Sequence, residues 1–312
     1  MIINTGQRTD IPAFYAPWLL RRLEEGFVMV RNPFNPQQIT RYRLSPEVVD
    51  CIGFITKNPA PLLPHMAALR PYGQLWQVTV TPYGRDIEPN VPPKEQVLAD
   101  FRRLSERIGP EGMIWRYDPI LLTEDYPADR HLAEFERMCR TLAGATDTCV
   151  ISFIDLYEKV KRNFPEVRPV PQEARLLLGR EMVRIAGENG MTLRPCHEGD
   201  ELAAFGADCS GCMTLAAYER AIHARLKPPV KQPRARECAC HLTCDIGAYD
   251  TCGHLCRYCY ANANAGAVRR TMAQHDPHSP LLTGHVRPGD RIHDARQESW
   301  RVEQISMLDP AW

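Results

Sequence analysis

Hydrophobic and polar positions alternate in two distinct ways from residue 1 to about residue 198. Short runs of β-branched, aliphatic and aromatic residues predict six strands, at 1–4, 49–56, 75–81, 112–117, 149–154 and 191–195. Longer segments with helical periodicity predict helices at 17–25, 93–108, 129–143 and 172–188. Asp129 is the predicted N-cap of the third helix, and Gly190 the predicted stop after the fourth. Strands alternating with helices favour an α/β fold with a parallel sheet, interpreted as a partial or closed (βα) barrel of about six strands.

The pattern changes after residue 200, where cysteine becomes frequent and periodicity weakens. A helical stretch at 214–226 leads into the proline-containing segment 227–233. We therefore predict three parts: a βα barrel at 1–198, a cysteine-rich metal-binding cap at 199–265, and a C-terminal tail at 266–312 that wraps the barrel.

Charge and hydrophobicity indicate which broad classes of protein this sequence does not favour. Lys and Arg number 38 and Asp and Glu number 38, so the formal net charge is zero, which makes binding to bulk nucleic acid an unfavoured role. No run approaches 18 apolar residues, so no membrane-spanning helix is expected. The N-terminal segment lacks the basic and apolar regions of a secretory signal, and we expect a cytoplasmic protein.

Polar side chains follow every predicted strand. Because the carboxyl ends of parallel strands meet at one edge of a sheet, these residues are candidates for a common site. Asp10, Asp118 and Glu198 are candidates for acid–base catalysis. Arg8 and Arg116 could bind a carboxylate or phosphate, although ion pairs with neighbouring aspartates are the favoured alternative for each arginine taken singly.

Nine of the 12 cysteines fall between residues 196 and 259. In a reducing compartment, metal thiolates explain such a cluster better than disulfides do. The remaining three, Cys51, Cys139 and Cys149, lie in apolar or helical segments and are predicted to be core residues.

The most specific motif is C-x3-C-x2-C at Cys252, Cys256 and Cys259, with Tyr258 directly before the last cysteine. Three thiolates on one short loop could hold three irons of a [4Fe–4S] cluster and leave the fourth iron open. The motif resembles that of the radical S-adenosylmethionine superfamily, in which the open iron binds the methionine part of the cofactor. That resemblance implies a barrel of the TIM type and reductive cleavage of S-adenosylmethionine to a 5′-deoxyadenosyl radical. A zinc knuckle completed by His254 or by a distant cysteine is the alternative.

The position of this motif departs from the superfamily, where it follows the first strand rather than the last. A narrower family has the motif at this same late position. The segments 8–15, 30–36, 56–59, 81–84 and 245–247, together with the three cysteines, resemble a bacterial domain of unknown function, DUF1848. This resemblance covers nearly the whole chain and implies a radical-enzyme-like iron–sulfur protein, but it implies no substrate.

The same resemblance selects a second group of thiols. In the family, cysteines occur at positions that match Cys196, Cys212, Cys238 and Cys240, which implies a second [4Fe–4S] cluster or a zinc site. Cys209 and Cys244 are left outside this group. The superfamily resemblance also implies that Lys57 and Asn58, after the second strand, hold the amino acid part of the cofactor. The other candidates for cofactor binding are Thr56, Arg8, Arg116 and Tyr258.

Two classes of function follow. The first is a radical S-adenosylmethionine enzyme that acts on a small-molecule or nucleotide-like substrate and receives electrons from a donor such as flavodoxin or ferredoxin. The second is a non-catalytic iron–sulfur or zinc protein that senses redox state or docks a partner.

Overall fold

The computed structural model describes residues 1–229, 240–241 and 244–302. Its strands in chain order are β1 (Ile2–Asn4), β2 (Phe27–Arg31), β3 (Gln38–Arg43), β4 (Cys51–Thr56), β5 (Gly73–Thr79), β6 (Met113–Ile120), β7 (Thr148–Phe153), β8 (Thr192–Pro195), β9 (Cys244–Asp245) and β10 (Arg291–Asp294). Its α-helices are α1 (Ile11–Phe14), α2 (Ala16–Glu25), α3 (Met66–Leu69), α4 (Lys94–Ile108), α5 (Ala128–Leu142), α6 (Glu158–Asn163), α7 (Gln172–Glu188), α8 (Leu215–Ile222) and α9 (Ala265–Met272). None of the helices in the described ranges is long and apolar enough to cross a membrane.

Seven strands form one sheet in the order β8-β7-β6-β5-β4-β1-β9, and every neighbouring pair is parallel. All six strands predicted from the sequence are present in it. The prediction of a closed barrel is wrong, because β8 and β9 are the two ends of the sheet and pair with one neighbour each. The seventh strand, β9, comes from the cysteine-rich segment and extends the sheet beyond β1.

A smaller sheet in the order β10-β3-β2 was not predicted. Strands β2 and β3 are antiparallel, whereas β10 from the C-terminal segment pairs with β3 in parallel. The C-terminal segment also reaches the start of the chain, where the Met1 ammonium donates to the Glu298 carbonyl oxygen (2.9 Å). Two residues were predicted to mark helix ends, Gly190 as a stop and Asp129 as an N-cap. Gly190 follows α7 with a φ of +74°, as predicted, but α5 is capped by Pro127 and Asp129 lies in its first turn.

The two faces of the large sheet differ in chemistry because strand residues alternate between them. One face is apolar and packs against helices, as where Phe54 stacks on Trp76 and Trp115 stacks on Phe135 of α5. Residues on the other face, here named the polar face, include Asn4, Gly53, Gln77, Arg116 and Arg194, which the strand register places on the same side. Helix α8 packs against this face, where the Tyr218 hydroxyl donates to Asn4 Oδ1 (3.1 Å).

On the apolar face, His131 of α5 is fully buried. Its Nε2 lies 2.8 Å from the Leu121 carbonyl oxygen, and its Nδ1 lies 2.9 Å from the Tyr117 hydroxyl. Burial lowers the pKa of His131 from 6.5 to about 4. The unfolded chain therefore binds a proton near pH 6.5 that the folded chain does not bind until about pH 4.

We expect the free energy of unfolding to fall by about 3 kcal/mol as the pH drops through this window, with the full contribution of His131 present above pH 6.5. The substitution His131→Gln should flatten this dependence. Denaturant unfolding of both proteins at pH 7 and pH 4.5 measures the effect. An equal loss of stability in the two proteins would contradict the assignment.

Candidate functional site

The segment 251–262, here named the cysteine loop, carries the three thiols of the C-x3-C-x2-C motif and lies against the carboxyl ends of the parallel strands. Asp10 follows β1, and its Oδ2 lies 2.9 Å from His254 Nε2. The Tyr15 hydroxyl donates to the Thr251 carbonyl oxygen (2.7 Å), and Asn90 Nδ2 donates to that of Gly253 (2.8 Å). The loop is therefore held by residues that follow several strands.

Asp10 is the centre of this attachment. Its Oδ1 accepts from the backbone N–H of Ala13 (3.0 Å), as the N-cap of α1, and from Thr56 Oγ1 (2.7 Å). Its Oδ2 accepts from the backbone N–H of Lys57 (2.7 Å) and from His254 (2.9 Å). A carboxylate offers about four lone-pair sites, so these four donors occupy all of them. Asp10 thus joins β1, β4 and the cysteine loop.

Close packing fixes the conformation of the loop. A Cβ atom on Gly253 would lie only 2.7 Å from the Phe14 ring, so a side chain has no room there. Leu255 has a φ of +57°, a left-handed conformation that is costly for a non-glycine residue.

Nearby backbone groups stabilise two of the three thiolates. The backbone of His254 acts to lower the pKa of Cys252, and the backbone of Ala261 and Asn262 acts to lower that of Cys259. The hydroxyl of Tyr258 interacts with Cys256. Burial raises the pKa of all three thiols, and their mutual repulsion as thiolates adds to the shift for Cys252 and Cys256. The ionised set therefore needs positive charge close by.

A buried carboxylate, Glu88, was missed by sequence analysis. Its Oε1 accepts from Lys57 Nζ (2.9 Å), from Thr81 Oγ1 (2.7 Å) and from the Tyr258 hydroxyl. Burial lowers the pKa of Lys57, but Glu88 and the Cys256 thiolate outweigh this and raise it, so the ammonium stays charged. Glu88 lies in a loop without periodicity, and no sequence signal separates it from a surface residue.

Both arginines predicted to bind ligand are paired with aspartates. Arg8 Nε donates to Asp245 of β9 (2.6 Å), and Arg116 donates to Asp118 through Nε (3.1 Å) and Nη2 (2.5 Å). Burial alone would lower the pKa of Arg116, but Asp118 together with the thiolates of Cys212 and Cys196 raises it. The pairing with a neighbouring aspartate is therefore present for Arg116, whereas Arg8 pairs with Asp245 from the C-terminal half of the chain and not with its neighbour Asp10.

The other predicted residues lie nearby but differ in their surroundings. Asn58 Oδ1 accepts from the backbone N–H of Ala60 (3.3 Å), in the turn that follows β4. Glu198 follows β8 and accepts from the backbone N–H of Phe153 (2.7 Å) and from Arg175 (3.2 Å). Burial raises the pKa of Glu198, and these two contacts oppose the shift. Glu198 is thus anchored at the β7–β8 end of the sheet.

A second set of thiols lies beside Arg116. The sulfur of Cys212 lies 3.3 Å from that of Cys196 and 3.4 Å from that of Cys240. Their predicted partner Cys238 lies outside the described residues. Cys209 lies apart, with its sulfur 4.0 Å from the Ala207 carbonyl oxygen, and Cys244 is part of β9, where it interacts with Tyr42.

Within the described ranges, no three or more histidine, cysteine or acidic side chains are arranged to hold a metal ion. No disulfide joins any two of the 11 described cysteines. The thiols are brought together, but the metal sites predicted from their spacing stay predictions.

These features define an α/β protein with a parallel seven-stranded sheet and two sets of thiols facing its carboxyl edge. The family model of the domain of unknown function DUF1848 matches residues 2–261, and the chain belongs to that family. No curated protein and no solved structure matches the chain.

Proposed function

We propose that the protein is a radical S-adenosylmethionine enzyme whose [4Fe–4S] cluster is held by Cys252, Cys256 and Cys259. The observation that carries the proposal is the placement of three buried or half-buried thiols on one loop at the carboxyl edge of a parallel sheet. In parallel α/β proteins this edge is where ligands bind.

The donor atoms of the cysteine loop are of the kind that such a cluster requires. Iron–sulfur clusters are bound by thiolates, and hydrogen bonds to the sulfurs tune their reduction potential. Here nearby backbone groups act to lower the pKa of Cys252 and Cys259, and the Lys57 ammonium acts to lower that of Cys256. When bound with S-adenosylmethionine, the cluster would supply the electron that cleaves the cofactor to methionine and a 5′-deoxyadenosyl radical.

The chain's own residues would position and shield this chemistry. Asp10 and His254 attach the loop to the strand ends, and Glu88 orients Lys57 and Tyr258. An ammonium has three donors, and the hydrogen bond to Glu88 takes only one of those of Lys57. Lys57 is therefore suited to bind a carboxylate such as that of the cofactor's methionine part.

The remaining candidates flank that position. We propose that Thr56 and Asn58 shape the turn that presents Lys57, since the Asn58 backbone N–H donates to Thr56 Oγ1 (2.9 Å). Arg8 and Tyr258 complete the proposed cofactor-binding set, whereas Arg116, which donates to Gln77 (2.7 Å), is proposed to face the substrate instead. The acid–base roles of Asp118 and Glu198 likewise belong to this proposal, whereas the four donors on Asp10 favour a structural role for that residue.

For the second set, Cys196, Cys212, Cys238 and Cys240, the sulfur separations favour zinc over a second [4Fe–4S] cluster. Thiolates that share one tetrahedral zinc ion lie about 3.8 Å apart, because each Zn–S bond is about 2.3 Å. In a cubane each thiolate binds a different iron, which spreads the sulfurs more widely. The separations of 3.3 and 3.4 Å lie nearer the single-ion value.

The proposal requires a small-molecule or nucleotide-like substrate and an external electron donor such as flavodoxin or ferredoxin. The test combines metal analysis and product analysis on anaerobically purified protein. We expect about four irons and one zinc per chain, by the arithmetic of one cubane and one single-ion site, and formation of 5′-deoxyadenosine after addition of a strong reductant. Protein that binds zinc at both sites and forms no 5′-deoxyadenosine would favour a non-catalytic zinc protein instead.

A further inference from the structure

The polar face of the sheet carries a buried hydrogen-bond donor without a partner. Gln77 of β5 is fully buried, and its Oε1 accepts from Arg116 Nη1 (2.7 Å). Because a guanidinium can only donate, this contact fixes which end of the Gln77 amide faces Arg116. The Nε2 group therefore points elsewhere, and no atom of the described residues accepts from it. A buried donor left unpaired costs stability, so such a group calls for an acceptor.

Other unpaired groups on the polar face are donors as well. Asn4 Nδ2 at the end of β1 and Arg194 Nε of β8 have no acceptor among the described residues. Gly53 provides space for the Asn4 amide, because a Cβ atom at residue 53 would lie 2.4 Å from Asn4 Oδ1. The surface thus offers hydrogen-bond donors in excess of acceptors.

The charges on this surface cancel. The cations Arg116 and Arg194 pair with Asp118 (2.5 Å) and Asp208 (2.9 Å), respectively. A ligand that meets donors but no net positive charge is matched best by neutral carbonyl oxygens rather than by a carboxylate or phosphate.

Arg116 connects Gln77 to the second set of thiols. Gln77 Oε1 accepts from Arg116 Nη1 (2.7 Å), and the thiolates of Cys196 and Cys212 raise the pKa of Arg116.

We propose that Gln77 and Arg116 form the substrate subsite, and that the substrate is a neutral molecule with an amide- or imide-type carbonyl, such as a pyrimidine base or a peptide bond. The reaction of this substrate rests on the proposed function, whereas its binding at Gln77 does not. Gln77 Nε2 donates to the carbonyl oxygen, and Arg116 has two further N–H groups beyond those bound to Asp118 and Gln77.

The experiment measures binding of three probes to anaerobic protein by ligand-detected NMR, without S-adenosylmethionine turnover. The probes are uracil, the cyclic dipeptide of glycine, and acetate. We expect at least one neutral probe to bind and acetate not to bind. The substitution Gln77→Glu preserves an acceptor for Arg116 and removes the donor, so affinity for the neutral probe should fall at least tenfold.

The matched control is Gln74→Glu on the same strand. Gln74 Nε2 donates to the Leu69 carbonyl oxygen (3.0 Å), and its register places it on the apolar face, so this variant should bind the probe as the unchanged protein does. Gln77→Leu, checked for folding by thermal unfolding, removes the donor without adding charge and should also lose affinity. Acetate binding in preference to the neutral probes, no binding of any probe, or full affinity in Gln77→Glu would overturn the subsite. Absence of iron or of 5′-deoxyadenosine with normal probe binding would instead contradict only the proposed function.

Discussion

Replacing Cys256 by alanine should abolish iron binding at the cysteine loop and, with it, formation of 5′-deoxyadenosine. Cys256 is the buried member of the three thiols. Burial and the charge of Glu88 raise its pKa, and the charge of Lys57 acts to lower it. Two thiolates cannot hold a cubane that otherwise has three protein ligands, so we expect the loss of about four irons per chain. The measurements are iron content and 5′-deoxyadenosine yield after anaerobic reconstitution.

Two comparison variants make this result interpretable. Cys209→Ser changes a half-buried thiol outside both sets and should retain both iron and activity. Cys212→Ala removes the central thiol of the second set, so zinc should be lost and thermal stability should fall while the iron of the cysteine loop is retained. Iron retained at the wild-type level in Cys256→Ala would show that the cluster lies elsewhere.

The sequence was informative about the large sheet because its strands are buried and strongly apolar. Runs such as that of β4 and β7 carry β-branched and aromatic residues on both faces, and short hydrophobic runs between long helical periods predict parallel strands. The same argument fails for β9, which has two residues and lies in a cysteine-rich segment without a visible alternation of apolar and polar residues. It also fails for the small sheet, whose strand β10 is exposed at every residue.

The sequence predicts the thiols of the candidate site but not the hydrogen bonds that position them. Spacing along the chain is visible for Cys252, Cys256 and Cys259 because they share one short loop. The partners Asp10 and His254, by contrast, are 244 residues apart and meet only after folding. Glu88 and Gln77 are ordinary polar residues in the sequence, and only their burial and partners give them a role.

Replacing Asp10 by alanine should destabilise the fold and release the cysteine loop. The change removes four hydrogen bonds from a buried carboxylate and leaves His254 without its partner, a type of loss that costs about 3–5 kcal/mol. Denaturant unfolding of the metal-free protein measures the free energy of unfolding. The alkylation rate of Cys256 in the same protein reports whether the loop has opened, and we expect that rate to rise at least tenfold.

Asp10→Asn provides a graded comparison, because an amide has one acceptor oxygen and can satisfy two of the four donors in either orientation. Its stability and alkylation rate should fall between those of Asp10→Ala and the unchanged protein. Asp86→Ala is a matched control after β5: Asp86 is exposed, and its Oδ1 accepts a hydrogen bond from the Tyr126 hydroxyl (2.9 Å). This control should lose at most about 1 kcal/mol. An acid–base role for Asp10 would produce the opposite pattern, with stability and alkylation unchanged in Asp10→Asn and only turnover lost, because a catalytic carboxylate must leave a lone pair for the substrate.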